Sequence, residues 1–194
     1  RIHVVHHGVR PLAAPDAQRE NLVLHTGAIQ KRKNLLRLVE AFEGMPPDWT
    51  LALVGSTGGY AAQQILARIE RSSARQRIRV PGYVPAGELP AWYARARIFA
   101  FPSLDEGFGM PVLEAMASGV PVIASRRGAL PEVCGGAAML IDEQDADDLR
   151  RALLQLADSE SLRDEMVKRG RSRASEFTWT RAVEETWRVY ETLP

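Results

Sequence analysis

The chain has 194 residues with 25 basic and 24 acidic side chains, a balance that gives no broad basic field for nucleic acid. That length suits one domain with a substantial core, and no apolar run approaches the ~20 residues of a membrane-spanning helix. The single cysteine, Cys134, excludes an intrachain disulfide and fits a reducing compartment.

The first residues, RIHVVHHGV, are too short and too polar for a signal peptide, and without an initiator methionine the chain reads as an excised piece. Residues 2–5 read as a short strand closed by His6-His7-Gly8, and the Pro- and Ala-rich residues 10–19 as a loop. Leu22-Val23-Leu24 form the next strand, ending at Gly27. Leu35, Leu38, Val39 and Phe42 then recur at i, i+3, i+4 and i+7, which predicts a helix with Asn34 as its N-cap. Lys31, Arg32 and Lys33 therefore cluster at the mouth of a helix just past a strand end. A solvated charge run is the ordinary outcome of such a cluster, and phosphate binding is the functional one.

Residues 50–54 form a third strand, running into Gly55-Ser56-Thr57-Gly58-Gly59, whose glycines allow a backbone to approach a ligand closely. A helix over 61–72, a strand over 77–80 and a helix begun near 85–88 follow, with Leu89, Trp92 and Tyr93 at core spacing and read as packing. Phe99-Ala100-Phe101 end a strand that Pro102-Ser103 break. Pro111 suits a first helical position, Gly119 a helix stop, and residues 121–124 restart an apolar run. Beyond LPEVCGG, where Cys134 reads as a small packed thiol, residues 138–141 form a last short strand. Leu149, Leu153 and Leu156, then Leu162 and Met166, mark two amphipathic helices. The tail is a helix over 178–192, capped by Thr178, with Trp179, Val183, Trp187 and Tyr190 on one face. Strands and helices alternate, with Gly8, Gly27, Gly55 and Gly82 at strand ends. The fold class is α/β, a Rossmann-like parallel sheet with helices on both faces.

Ligands of such sheets bind beyond the carboxyl ends of the strands, which directs attention to residues 99–125. Glu106 lies in the loop and Glu114 is placed in the first turn of the next helix, with seven residues between them. Gly107 and Gly109 flank Phe108 and open the backbone to close approach. The N–H groups of residues 108–112, except that of Pro111, would face whatever sits over the helix mouth, and an anion is the natural guest. Carboxylates beside an anion repel it unless they accept hydroxyls of the same ligand. A diphosphate between two polyols, as in a nucleotide sugar, meets both needs. The histidines His3, His6, His7 and His25 make no zinc-like spacing, so no metal is expected.

EGFGMPVLEAMASGVPVIAS resembles the signature of the retaining glycosyltransferase family 4 (glycosyl transferases group 1), which have the two-domain fold called GT-B. The family signature is two glutamates separated by seven residues, with Gly-Phe-Gly and Glu-Ala-Met-Ala-x-Gly-x-Pro-Val between and after them. Gly27 to Asn34 resembles the family's G-x-x-x-x-R-K-N, Gly82-Tyr83-Val84 its "GYV", and Pro131-Glu132-Val133 its "PEV". The chain departs from the pattern at Ala28, where many members have arginine, at Asp105, where tyrosine is frequent, and at His7, where asparagine is common.

The resemblance implies that residues 1–194 are the donor-binding C-terminal half of such an enzyme, with helix 178–192 packing toward an N-terminal acceptor domain outside the chain. The implied reaction moves a hexose from a nucleotide diphosphate sugar to an acceptor hydroxyl with retention. Lys33, helped by Arg32, would neutralise the departing diphosphate. Glu106, Gly107, Phe108, Gly109 and Met110 would hold the sugar, with Pro111 and Val112 at the helix mouth and Glu114 on the ribose. Gly27 and Gly55 would line the crevice, and Tyr83 and Val84 would lie against the base. The leaving phosphate is thought to take the acceptor's proton in this family, so Glu106 is not read as a nucleophile, and no cofactor or catalytic metal is implied. The motifs lean toward mannose from GDP-mannose, in polysaccharide or glycolipid synthesis at the cytoplasmic side. Any membrane contact would belong to the missing half. Three rivals are a non-catalytic nucleotide-sugar-binding domain, a GT-B sugar-nucleotide epimerase, and a dinucleotide-binding dehydrogenase domain, which the lack of G-x-G-x-x-G after the first strand disfavours.

Overall fold

Short apolar runs bounded by glycine or proline become strands buried on both faces, and the rest of the fold is built around them. The computed structural model describes residues 2–10 and 17–192. Six strands are β1 (Glu20–Thr26), β2 (Thr50–Val54), β3 (Ile78–Gly82), β4 (Ala96–Phe101), β5 (Val122–Ser125) and β6 (Met139–Ile141). They pair in parallel throughout, in the order β3-β2-β1-β4-β5-β6. Eight α-helices among the described residues cover them: α1 (Leu35–Phe42), α2 (Ala62–Glu70), α3 (Leu89–Arg95), α4 (Met110–Ala117), α5 (Leu130–Cys134), α6 (Ala146–Asp158), α7 (Glu160–Ser175) and α8 (Trp179–Glu191).

Side chains alternate across the sheet, so each strand feeds two cores. Val23, Leu51, Leu53, Ile98 and Ile123 meet Leu35, Leu38, Phe42, Ile65 and Leu153 on one face. Leu22, Leu24, Phe99, Phe101 and Val122 meet Tyr93, Val112, Leu113 and Met116 on the other.

The strand order sets the location of any ligand site. From β1 the chain steps outward to β2 and β3, then returns to lay β4 on the opposite side of β1. The loops leaving β1 and β4 therefore diverge and leave a crevice, the switch point at which open α/β sheets bind ligands. Its floor is tightly packed backbone. Gly27 N–H donates to Val54 O and Gly55 N–H to Gly82 O, both at 2.9 Å. Gly55 has φ of +153°, and a Cβ there would lie 2.0 Å from the Gly27 carbonyl oxygen.

Two local expectations fail. Residues 2–5 form no strand, and Ile2 is 95% exposed, because no sheet edge is available beside them. The segment instead lies along the start of α8, with Val9 N–H donating to Phe177 O and a Gly8 Cβ position only 2.2 Å from Trp179 N. Asn34 does not cap α1 with its side chain. It takes a left-handed conformation (φ 54°) after a 3-10 turn at Lys31–Lys33, and its amide donates to Glu143 O at 2.8 Å. Of the loop expected over 10–19, residues 11–16 lie outside the described residues. Thr178 does cap α8, accepting from Arg181 N–H.

Gly55→Ala would combine a disfavoured φ with a backbone clash, each costing about 1–3 kcal/mol. Thermal unfolding should therefore shift down by roughly 5–15 °C. Gly107→Ala, with open space around its Cβ position and no left-handed φ, should leave the midpoint unchanged.

Candidate functional site

The loops after β1 and β4 are tied to each other across the switch point. Leu104 N–H donates to Arg32 O at 2.8 Å, and the Arg32 guanidinium donates to Asp105 O at 2.8 Å. Lys33, in the 3-10 turn, is buried with its ammonium 4.5 Å from the centre of the Phe101 ring. From there it donates to Glu106 Oε1 at 2.6 Å, while Arg32 reaches Glu106 Oε2 at 2.8 Å. Each oxygen of Glu106 thus takes one cation, and the cluster carries one positive charge in excess.

Burial pulls the Lys33 ammonium below its ordinary pKa, against the Glu106 carboxylate, which opposes the shift. Burial pushes Glu106 up, but the hydrogen bond and charge of Lys33, with Arg32, outweigh it and hold the carboxyl below its usual value.

Glu114 has the opposite surroundings. It is the fifth residue of α4, a turn deeper than the sequence suggested, and no basic side chain pairs with it among the described residues. Burial raises its pKa, partly opposed by a hydrogen bond from Tyr93. The Tyr93 hydroxyl, fully buried, lies 2.9 Å from Glu114 Oε2 and 2.9 Å from Thr26 Oγ1.

The α4 N-terminus completes the crevice. Gly109 has φ of +101° and turns the chain into the helix with Pro111 in its first turn. The N–H groups of Phe108, Gly109 and Met110 have no protein partner among the described residues. Val112 differs from expectation: its N–H already donates to Gly109 O at 2.9 Å, and its side chain belongs to the core. Phe108 packs its ring against His6, His7 and Phe177, and Ala129 N–H donates to Glu106 O, so the loop is braced from two sides. Gly107 is exposed and open.

Lys33, Arg32, Glu106 and the 107–111 backbone are thus brought together, with Gly27 and Gly55 at the floor. Tyr83 and Val84 are not joined to this cluster. They follow β3, two strands from β1, with Tyr83 exposed and Val84 half-buried against the second core. The sequence reading treated Tyr93 as packing and assigned nothing to Thr26 or His25. His25 lies beneath the cluster, fully buried and stacked on Phe101, with Nδ1–H donating to Ala100 O at 3.0 Å and Nε2 unpartnered. No spacing rule separates such residues from other core positions.

Among the described residues no three His, Cys, Asp or Glu side chains gather as a metal site, and no helix is long and apolar enough to cross a membrane. Cys134 is buried and its thiol is pushed up to about 12 by desolvation.

A doubly wound parallel sheet with a cation-bearing crevice at its switch point places the chain in the Rossmann-like α/β class. Residues 13–173 match the family described as "Glycosyl transferases group 1", and the chain belongs to that family. It is 35% identical over 177 residues to the O-antigen chain mannosyltransferase B of Escherichia coli, covering 90% of this chain and 46% of that protein. It is 45% identical over 108 residues to the MMP alpha-(1->4)-mannosyltransferase of Mycolicibacterium hassiacum, covering 54% of this chain and 26% of that protein. The chain therefore spans less than half the length of these relatives. Among solved structures, the sucrose-phosphate synthase of Thermosynechococcus elongatus superposes with a TM-score of 0.83 at 26% identity, covering 96% of this chain and 51% of that one. The sheet is that of GT-B glycosyltransferases.

His25 makes the site sensitive to acid. Its folded pKa is drawn from 6.5 down to about 4 by burial, so the unfolded state binds the proton first. The stability it contributes is complete above pH 6.5 and is lost as pH falls toward 4, by up to ~3 kcal/mol. Urea unfolding between pH 7 and pH 4 should show this loss in the wild type and a correspondingly flatter profile in His25→Phe.

Proposed function

We propose that this chain is the donor-binding half of a retaining glycosyltransferase that moves a hexose from a nucleotide diphosphate sugar to an acceptor hydroxyl. The observation that carries the reading is the Lys33–Glu106–Arg32 cluster at the switch point, beside the free N–H groups of α4. Two cations against one carboxylate leave a net charge suited to an anion, and the helix N-terminus adds to it. Lys33 and Arg32 would sit where charge grows on the departing diphosphate in the transition state. Glu106, with a depressed pKa, is a poor proton donor and a good acceptor for sugar hydroxyls. The leaving phosphate would then take the acceptor's proton, and no metal or cofactor is assigned.

Glu114, with one oxygen open, is assigned to the ribose. Tyr83 and Val84 are assigned to the base at the far side of the crevice. Mannose is favoured by the two relatives, both named as mannosyltransferases, and GDP-mannose is assigned as the donor. The acceptor site is assigned to residues outside these 194, in keeping with the share of the relatives that the chain spans. The exposed Trp179, Val183, Trp187 and Tyr190 of α8 are the surface such a second domain would cover.

Titration calorimetry of the chain against GDP, UDP and ADP tests the reading. One nucleoside diphosphate should bind, and Lys33→Ala should weaken it by the loss of a charge-assisted hydrogen bond, on the order of 1.5–3 kcal/mol. Unchanged affinity would remove Lys33 from the phosphate site. The purified chain alone should bind nucleotide yet transfer no sugar in a radiolabel assay, and turnover would place the acceptor site within these residues.

A further inference from the structure

The hydroxyl chain behind Glu114 has a direction that chemistry imposes. An ionised carboxylate only accepts, so the one Tyr93 O–H proton is committed to Glu114 Oε2, 2.9 Å away. The Tyr93 oxygen is then free to accept from Thr26 Oγ1 at 2.9 Å, and the chain runs Thr26 to Tyr93 to Glu114. Tyr93 has no solvent exposure and Thr26 almost none, so water does not compete for either hydroxyl. The anchor points are rigid. Thr26 ends the central strand β1, and Tyr93 is held by α3 against Phe99 on the neighbouring strand.

Among the described residues Glu114 has no cation to fix it, and Oε1 accepts no hydrogen bond. With Oε2 tethered, the carboxylate is restrained and Oε1 is the oxygen left for a ligand. An untethered carboxylate there would turn freely and lose rotamer entropy on meeting a ligand.

Resting on the ribose assignment for Glu114, we propose that Tyr93, with Thr26 behind it, is a positioning residue that makes the crevice select a vicinal diol, and thus ribonucleotides over their deoxy counterparts. A tethered acceptor meets a diol at a fixed place, whereas a ligand without the hydroxyls leaves the buried carboxylate unpaired. Tyr93 itself touches no ligand in this assignment. Its loss should therefore alter diol discrimination and leave contacts elsewhere on the nucleotide intact.

The test uses GDP and 2′,3′-dideoxy-GDP, with the UDP pair alongside, titrated into the wild-type chain and into Tyr93→Phe, Thr26→Val, Thr26→Ser and Glu114→Ala. The wild type should prefer the ribonucleotide. Tyr93→Phe should reduce ribonucleotide affinity by roughly 10-fold or more, from the lower end of the range of a hydrogen bond to a charged group upward, and leave the dideoxy affinity unchanged. Thr26→Val should shift the ratio the same way by less, and Thr26→Ser, which keeps the donor, should restore it. Thermal unfolding of each variant identifies any that fails to fold. If Tyr93→Phe does not fold, the Val and Ser variants at Thr26 decide.

Equal weakening of both ligands by Tyr93→Phe would make its role structural and overturn the inference. So would an unchanged ratio in Tyr93→Phe while Glu114→Ala abolishes it, and that result would leave the ribose assignment standing. Absence of any ribonucleotide preference in the wild type, or a preference that survives Glu114→Ala, would overturn the ribose assignment itself and the inference with it.

Discussion

The clamp of Lys33 and Arg32 on Glu106 is the interaction on which the crevice depends, because it joins the two loops that the strand order drives apart. Loops diverging from a switch point have no sheet hydrogen bonds to hold them. Here they share one carboxylate, reinforced by Leu104 N–H on Arg32 O and by the Arg32 contact with Asp105 O. A buried pair of this kind adds little net stability against an apolar replacement, since desolvation opposes the attraction. Removing one partner is different, because it strands an uncompensated charge and costs about 3–5 kcal/mol. The cluster is thus better understood as charge kept in reserve at a fixed place. Folding has already stripped Lys33 of water and oriented it, with the exposed Arg32 held beside it on the same carboxylate, so on the proposed reading an anion would meet a site whose reorganisation is largely done.

Two glutamates with seven residues between them end in environments that push them in opposite directions. Glu106 is held below the ordinary carboxylate range by its cations, and Glu114 is lifted above it by burial without any. Their separation in the chain does this mechanically. The residues between them form a glycine-flanked turn and the first turn of α4, so one carboxylate is left in the loop facing β1 and the other is carried one turn into the helix, over Thr26 and Tyr93. A doubly paired carboxylate and a hydroxyl-tethered one are different acceptors. The first has a cation on each oxygen, whereas the second has one oxygen tethered and the other without a hydrogen bond from the described residues.

Much of the fold was legible because parallel strands buried on both faces leave an unmistakable trace: continuous apolar runs cut off by glycine or proline, as at residues 22–24, 50–54 and 99–101. The same rule misled at residues 2–5, which have strand-like composition but no neighbouring strand to pair with. Composition reports what a segment would tolerate, and pairing is a property of the whole sheet. Asn34 failed for a related reason. An N-cap is a local device, but this side chain was taken by Glu143, 109 positions away in the chain. In the site, Lys33, Arg32, Glu106 and the glycines could be read from local pattern. Tyr93, Thr26 and His25 could not, since each acts through a contact with a distant segment and sits at a position where any large or β-branched residue would satisfy the core.

Close packing of backbone fixes the shape of the crevice floor. At Gly55 and Gly59 an added Cβ would stand 2.0 Å from Gly27 O and 2.5 Å from Ile29 O, so the segments after β1 and β2 touch through main chain alone. Main-chain contacts have no rotamers to relax into. The Lys33 stem completes the arrangement by lying 3.2 Å from the Cβ position of Gly27, which fixes its ammonium over Phe101 and toward Glu106. A side chain at position 27 would press on this lysine, and one at position 55 would lift the floor. The glycines are therefore part of the electrostatics of the site, because they determine how deep the positive charge can sit and still face the crevice.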